Sequence, residues 1–260
     1  MIPRLLTPVI LIACVVPAPA RVVHNDLQDK PQEKAAAKPA AQLPSLDKVL
    51  DDYVKAMGGK AAIQKITSRS SKGTLEAPAA GLTGKFEQYT KLPNKMSLTV
   101  DLSVAVYKAG FLGTTGWILD PGSGLRDMTA NEVAEGAVDN DFYRSIRLKE
   151  LYSKLEVKDK VKVGDRDAYL VEATFAGREP DKLYFDAATG LLIRAVAKRE
   201  TGQGAEEVET SIEDYRDVDG IKVPFTIRRT TPNFSFTVKL TEITQNAPID
   251  DAKFAKPQAQ

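Results

Sequence analysis

The sequence has little of the chemistry on which many enzymes depend, because its 260 residues include one cysteine and one histidine. Both lie near the amino terminus, at Cys14 and His24. A single cysteine excludes a disulfide within the chain. Beyond His24 neither residue occurs, which excludes Ser-His-Asp or Cys-His catalysis, a zinc site of histidine and cysteine, and covalent haem attachment. We therefore expect no metal site, no cofactor and no enzymatic activity.

The sequence also lacks an excess of charge of either sign. Lys and Arg number 36 against 35 Asp and Glu, a net charge of +1 at pH 7. A protein that binds nucleic acid needs a basic surface to neutralise the phosphates. The balanced charge therefore argues against nucleic acid as a partner.

No apolar run is long enough for a membrane-spanning helix, which needs about 20 residues. The apolar run at residues 5–16 follows the positive charge of Arg4, contains Pro8 and is followed by Pro17. Small residues come next, at 18–20. A short apolar run between a positive charge and small residues is typical of a secretory signal peptide. We therefore predict a signal peptide at residues 1–20 and export to the periplasm or outer membrane.

Cys14 leaves a second outcome of processing open. The sequence Leu-Ile-Ala-Cys at 11–14 is similar to a lipobox, in which the cysteine becomes the lipid-modified first residue. However, residues 15–16 continue the apolar run where a lipoprotein usually turns polar. Cleavage at Ala20 and lipidation at Cys14 thus both stay open. Residues 21–44 are rich in Ala, Pro, Lys and Gln without periodicity, which predicts a disordered tether.

The last third of the chain alternates apolar and polar residues between short turns. Its final run places four apolar residues on one face: Phe234, Phe236, Val238 and Leu240. A period of two residues predicts a half-buried antiparallel strand, since successive side chains point to opposite faces. Asp and Gly at 186–190 and 217–220 are the residues that tight hairpin turns favour. The chain is therefore predicted to end in a series of antiparallel strands.

These strands and turns resemble the LolA/LolB-like family of bacterial envelope proteins, the lipoprotein carriers and their relatives. The likeness rests on the hairpin at 185–194, the two half-strands at 214–225 and the segment at 246–254, and it extends over residues 46–257. The resemblance implies a half-open antiparallel barrel wrapped over helices. It also implies an apolar concave face that holds acyl chains.

Helical periodicity is confined to two parts of the chain. Ser45 is a suitable N-cap for a first helix, which glycines at 58–59 would end. Thr129 is predicted to cap a second, short helix, and Asp139 or Asn140 a third, longer one. Strands are predicted at 72–77, 82–92, 96–106, 155–157, 161–163, 168–175 and 182–186, with a turn at 93–94.

This order of elements predicts an α+β fold with one large antiparallel sheet. Together with the resemblance, it leads us to expect a large curved antiparallel sheet, a half-open, unclosed β-barrel, wrapped over helices. We assign this domain to residues 45–257.

Carboxylates are the remaining candidates for catalysis. Five stand out by position: Asp139, Asp141, Asp214, Asp217 and Asp219. Each lies in a predicted turn or helix cap, where Asp is common because it bonds the local backbone. A hydrolase with paired carboxylates stays open as a third hypothesis. The residues at 217–220 lack the further ligands of a calcium-binding loop.

The sequence and the resemblance together lead us to expect an envelope protein that binds an acyl chain or another lipophilic ligand, with a role in lipid or lipoprotein transport. The expected ligand-binding residues of the apolar face are Trp117, Phe225, Phe234, Phe236 and Val238. Aromatic residues also dominate ordinary cores, so core packing is the alternative for each of them.

The expected partners are the acyl chain of a lipid or lipoprotein and other envelope proteins, with peripheral association with a membrane. The alternative function is a non-carrier envelope module of the same fold that senses a lipid or a protein partner.

Overall fold

The structure is a computed structural model, and it describes residues 42–175, 178–201 and 204–258. The predicted signal peptide, Cys14, His24 and nearly all of the predicted tether lie outside these residues. Within the described residues, every helix is too short or too polar to span a bilayer.

The described residues form four α-helices and two short 3₁₀ turns. The helices are α1 (Leu46–Ala56), α2 (Lys60–Ile63), α3 (Ala130–Asp139) and α4 (Arg144–Leu151), and the 3₁₀ turns are Pro78–Ala80 and Asp251–Phe254.

The first two predicted caps are confirmed. Ser45 accepts a hydrogen bond from the backbone N–H of Lys48 at the start of α1. Thr129 and Glu132 form a reciprocal capping box at the start of α3. Such caps satisfy backbone N–H groups that have no partner within the helix.

The predicted cap of the third helix is wrong. Asp139 is the last residue of α3, and Asn140 follows it as the C-cap. Helix α4 begins after Tyr143 without a side-chain cap. The Asp and Asn signal therefore marks the end of one helix rather than the beginning of the next.

Thirteen strands form a single antiparallel sheet in the described part of the chain. In chain order they are β1 (Ser68–Ala77), β2 (Leu82–Lys91), β3 (Lys95–Asp101), β4 (Val106–Leu112), β5 (Gly116–Asp120), β6 (Gly124–Asp127), β7 (Lys154–Val163), β8 (Arg166–Thr174), β9 (Asp181–Asp186), β10 (Leu192–Thr201), β11 (Gly204–Val218), β12 (Ile221–Thr230) and β13 (Ser235–Gln245). Their order across the sheet is β6-β5-β4-β3-β2-β1-β13-β12-β11-β10-β9-β8-β7. The sheet therefore ends at β6 and β7 and does not close, as the predicted fold class requires.

Turn chemistry explains most of the strand boundaries. At the predicted 186–190 turn, Asp186 Oδ1 accepts hydrogen bonds from the N–H groups of Ala188 and Thr189, and Gly190 has a φ of 76°. At the predicted 217–220 turn, Asp217 Oδ1 accepts from the Gly220 N–H. Both hairpins are confirmed.

Two predicted strand boundaries are wrong. The run at 96–106 is two strands, because a turn with Ser103 at a φ of 66° separates β3 from β4. Asp101 Oδ1 accepts a hydrogen bond from the Ser103 N–H in this turn. The segments at 155–157 and 161–163 belong to one strand, β7, which a bulge between Val157 and Asp159 interrupts.

The helices pack on one face of the sheet, which we call the inner face; the other is the outer face. Helices α1 and α4 contact β8 to β10 in one apolar cluster, where the rings of Tyr53 and Phe185 lie 5.1 Å apart. Helix α2 contacts β12 in a second cluster that includes Ile63 and Val223. Helix α3 lies over β4, where a Cβ added at Gly136 would come within 2.8 Å of the Phe111 ring.

Candidate functional site

A third apolar cluster lies on the inner face of the strands around β1 and β13; we call it the inner apolar patch. Its buried members are Leu75, Ala77, Val100, Phe225, Val238 and Leu240, and its partly buried members are Leu82, Phe86, Leu98, Leu102, Tyr107, Val218, Phe236 and Ile243. No residue of a described helix belongs to it, whereas the other two clusters each contain helix residues. Apart from Val218 and Ile243, which also pack in the cluster of α2, this patch is therefore the part of the inner face to which the described helices contribute no apolar side chain.

Strand register brings the members of the patch together. Val238 of β13 pairs with Leu75 of β1 on one side and with Ile227 of β12 on the other. On β2, Phe86 pairs with Gly73 of β1 and with Val100 of β3. Paired residues of antiparallel strands share a face, so the alternation within each strand adds up to one continuous apolar surface.

Three of the residues predicted to bind a ligand lie on this patch. Phe225 and Val238 are buried, at 7% and 4% exposure, and Phe236 is partly buried. The Arg216 guanidinium stacks 4.3 Å from the centre of the Phe225 ring. Phe234 lies in the turn between β12 and β13, 44% exposed, with its ring 6.0 Å from that of Phe236. Phe234 therefore lies at the edge of the patch rather than within it.

The predicted position of Trp117 beside this face is wrong. Trp117 pairs with Gly110, whereas Phe111, which contacts α3 on the inner face, pairs with Gly116. Neighbouring residues of a strand point to opposite faces, so Trp117 lies on the outer face. There it is buried, and its Nε1 donates a hydrogen bond of 3.3 Å to the carbonyl oxygen of Phe254. Its role in the structure is to hold the 3₁₀ turn Asp251–Phe254 against the sheet.

One end of the patch carries exposed apolar side chains on neighbouring hairpins; we call this end the apolar rim. The β3–β4, β1–β2 and β12–β13 turns lie side by side there, as the strand order requires. Val104 is 83% exposed, Val106 39% and Phe234 44%. Large exposed apolar side chains that are grouped on one edge mark a surface that meets an apolar partner.

A network of charged residues lies under α3, next to the apolar clusters. Arg199 of β10 makes two hydrogen bonds to Asp181, both of 2.9 Å, and two to Asp139, of 2.9 and 3.0 Å. The Tyr152 hydroxyl donates to Asp181 and accepts from Arg144. Burial raises the pKa of Asp139, but attraction and hydrogen bonding to Arg199, together with attraction to Arg144 and Arg229, outweigh it and leave the pKa below its usual value. Arg199 thus ties the end of α3 to the sheet.

The space beside this network is small. It measures about 10 Å³ and is lined by Glu135, Val138, Tyr152, Phe175, Arg178, Asp181 and Arg199. Such a volume holds about one water molecule. The network is therefore a structural connection, and the space has no room for an acyl chain.

Four of the five carboxylates considered for catalysis have local partners. Asp139 is bound to Arg199, and Asp141 accepts from Arg147 at 2.5 Å. Asp214 pairs with Arg216 on the surface. Asp217, near the end of β11, accepts from the Gly220 N–H, and Asp219 lies in the turn to β12 with a φ of 54°.

The structure therefore does not gather these carboxylates into one site. Within the described ranges, no group of three or more acidic, histidine or cysteine side chains is placed to hold a metal ion.

Comparison with known proteins gives similarity of structure without similarity of sequence. No protein-family model and no curated protein matches the chain. Among solved structures, a LolA superfamily protein from Nitrosomonas europaea has 12% sequence identity and a TM-score of 0.55, over 82% of this chain and 99% of that one. A DUF1329 family protein from Desulfovibrio piger has 16% identity and a TM-score of 0.53, over 82% of this chain and 98% of that one. At these identities the likeness establishes the fold alone.

Proposed function

We propose that this protein, which has the fold of the LolA superfamily, binds an acyl chain or another lipophilic ligand on the inner apolar patch. The observation that carries the proposal is that no described helix covers this part of the inner face, although eight of the patch residues are only partly buried. A ligand would remove these side chains from water, as α1 and α4 do for the neighbouring cluster.

Burial of a hydrocarbon chain supplies enough free energy for this role. Each buried methylene contributes about 0.8 kcal/mol, so a chain of about sixteen carbons gains on the order of 10 kcal/mol relative to water. Relative to a bilayer the transfer is nearly neutral, since both environments are apolar. A carrier of this kind accepts and releases its ligand without chemical reaction, which agrees with the separation of the five carboxylates from one another.

The apolar rim is the proposed entrance. Val104 and Phe234 belong to the hairpins on either side of the β1–β2 turn, at the end of the patch where a ligand that leaves a membrane or a lipoprotein would first make contact. Peripheral contact with a membrane is part of this proposal. So is a role in lipid or lipoprotein transport.

The proposal places the protein in the bacterial envelope. It combines a signal peptide at residues 1–20, or lipidation at Cys14, with a tether at residues 21–44 and a ligand-binding domain at residues 45–257. A tether of this kind would hold the domain close to a membrane without embedding it.

A second candidate is an envelope module of the same fold that senses a lipid or a protein partner. The observation in its favour is the burial of Leu75, Val100 and Val238, which is what a packed core requires. The two functions differ in whether the patch opens to a ligand.

Titration with a fluorescent fatty acid separates the two. The wild-type protein should bind the probe with a Kd in the micromolar range or tighter, about −8 kcal/mol. The variant Phe236→Asp places a carboxylate on the patch opposite Arg229 of β12. An acyl chain would have to remove this charge and its partner from water, so the variant should abolish binding. The matched control is Thr237→Asp, on the next residue of β13 and on the outer face, where Arg228 lies opposite.

The control variant should bind as the wild type does, and thermal melts should show that both variants are folded. A folded wild-type protein that takes up no acyl probe contradicts the carrier function and leaves the sensing module.

A further inference from the structure

Arg69 is a charged residue of the inner face, on the same strand as the inner apolar patch. It pairs with Thr90 of β2 and with Gln245 of β13, and Thr90 in turn pairs with Met96, which pairs with Phe111. Phe111 contacts α3, so this row of paired residues points to the inner face. Arg69 therefore shares that face with Leu75, six residues further along β1.

The guanidinium of Arg69 has one protein partner among the described residues. Its Nε and one terminal nitrogen both donate to Oε1 of Gln245, at 3.3 Å. The same strand register leaves no Asp or Glu on the inner face of β1 to β4, β12 and β13 in the described part of the chain. Three of the five donors of a guanidinium are thus left without a protein acceptor.

Burial without a nearby carboxylate destabilises the cation, and it lowers the pKa of Arg69 to about 10. At pH 7 the side chain is still protonated. Arg69 is partly buried, and none of its nitrogen atoms is both fully buried and without a partner. A partly desolvated cation still gains from an opposite charge, and the strands around it supply no carboxylate. A carboxylate suits it best, because a guanidinium binds a carboxylate through two parallel hydrogen bonds.

The surroundings of Arg69 are polar only in its immediate neighbourhood. On the same face, four polar residues adjoin it through strand pairing: Ser71, Gln88, Thr90 and Gln245. Beyond them, the inner apolar patch continues along β1 to Ala77 and ends at the apolar rim. Eight residues of strand span about 27 Å at about 3.4 Å per residue, which accommodates a long acyl chain.

We propose that Arg69 binds the carboxylate of a single-chain, fatty-acid-like ligand that enters head first, with its chain along the inner apolar patch and its end toward the apolar rim. This inference rests on the proposed function and narrows the ligand. The acyl chains of a lipoprotein are joined through ester and amide bonds and have no free carboxylate. The ligand class is therefore a free fatty acid rather than a lipoprotein.

Binding of palmitate and of hexadecanol, measured by displacement of the fluorescent probe, tests the proposal, since the two have the same chain length and differ in charge. The wild-type protein should bind palmitate about tenfold or more tightly than hexadecanol, because a hydrogen bond to a charged group contributes an affinity difference of this size. The variant Arg69→Met should lose this preference and still bind hexadecanol within about twofold of the wild type. The matched control Arg228→Met removes an exposed arginine of the outer face and should change neither affinity.

Two further measurements distinguish loss of the carboxylate contact from misfolding of the variant. Arg69→Met should melt close to the wild type without ligand, because loss of a partly buried charge that lacks an anion offsets loss of the two hydrogen bonds to Gln245. Arg69→Lys keeps the positive charge but lacks the planar guanidinium group that makes two parallel hydrogen bonds. Its preference for palmitate should lie between those of the wild type and Arg69→Met.

Equal affinity of the wild-type protein for palmitate and hexadecanol overturns the proposal for Arg69 and leaves the proposed function standing. An unchanged palmitate affinity in Arg69→Met does the same. Failure of the wild-type protein to bind either compound overturns both.

Discussion

Replacement of Arg199 by Met tests whether the charged network holds α3 on the sheet. In the wild type this side chain is 16% exposed and is bound to the carboxylates of Asp139 and Asp181, which are 27% and 7% exposed. Removal of one partner from a buried ion pair costs about 3–5 kcal/mol, because the remaining charge has no compensation. Since Asp139 is partly accessible, we expect about 3 kcal/mol, or a fall in Tm of about 10 °C for a domain of this size.

Urea denaturation at pH 7 and pH 4 measures this effect. Attraction to Arg199 helps to keep the pKa of Asp139 below its usual value. The stability that the ionised Asp139 contributes is therefore present at pH 7 and is lost as the pH falls through that lowered pKa. Without Arg199, burial favours the protonated form, and the variant should regain stability as the pH falls. The difference between wild type and variant should therefore be smaller at pH 4 than at pH 7.

The control for this prediction is Arg194→Met, on the same strand but on the outer face. Arg194 and its partner Glu209 are 31% and 38% exposed, and exposed pairs contribute about 1 kcal/mol or less. An Arg199→Met variant as stable as this control at pH 7 would refute the inferred role of the network.

Three further predictions concern the cap of α3, the tryptophan and the processing of the chain. Hydrogen bonding to Arg126 lowers the pKa of Glu132 to about 2, so the stability that Glu132 contributes is present above pH 4.5 and is lost as the pH falls through about 2. Glu132→Gln should therefore destabilise the protein by about 1–2 kcal/mol at pH 7 and by much less at pH 2 in chemical denaturation. An equal loss at both pH values would contradict this. Trp117→Phe should lower the free energy of unfolding by about 1 kcal/mol, because it removes the hydrogen bond of Trp117. The affinity for the acyl probe should not change, since Trp117 lies on the outer face. Weakened binding in a folded variant would instead place Trp117 in the binding site. Amino-terminal sequencing of the exported protein should find Arg21, or a blocked chain with a lipidated Cys14, and an intact Met1 in the cytoplasm would exclude both.

Local chemistry explains why much of the fold was predictable from sequence. The turn at 186–190 depends on Asp186 and Gly190, and the start of α3 depends on Thr129 and Glu132, three residues apart. In each case the residues that determine the structure are neighbours in the chain. The alternation at 96–106 misled because it continues across the turn at Ser103 and so hides the boundary between two strands.

Long-range placement explains what the sequence did not reveal about the site. Alternation along β5 indicates that neighbouring residues lie on opposite faces of the sheet, but it does not indicate which face the helices cover. The sequence alone therefore does not assign Trp117 to the outer face. Arg199 and Asp139 are sixty residues apart, and their pairing depends on where α3 packs. Arg69 precedes the predicted start of β1 at residue 72, so its position on the inner face became evident only from strand pairing.

Mass spectrometry of the protein purified from its host envelope, under conditions that keep non-covalent ligands bound, tests the central claim most directly. Binding on the inner apolar patch predicts a bound acyl compound that organic solvent releases and that is absent from the Phe236→Asp variant but present in Thr237→Asp. A folded wild-type protein that carries no lipophilic molecule, and takes up none when acyl compounds are added, would contradict the claim.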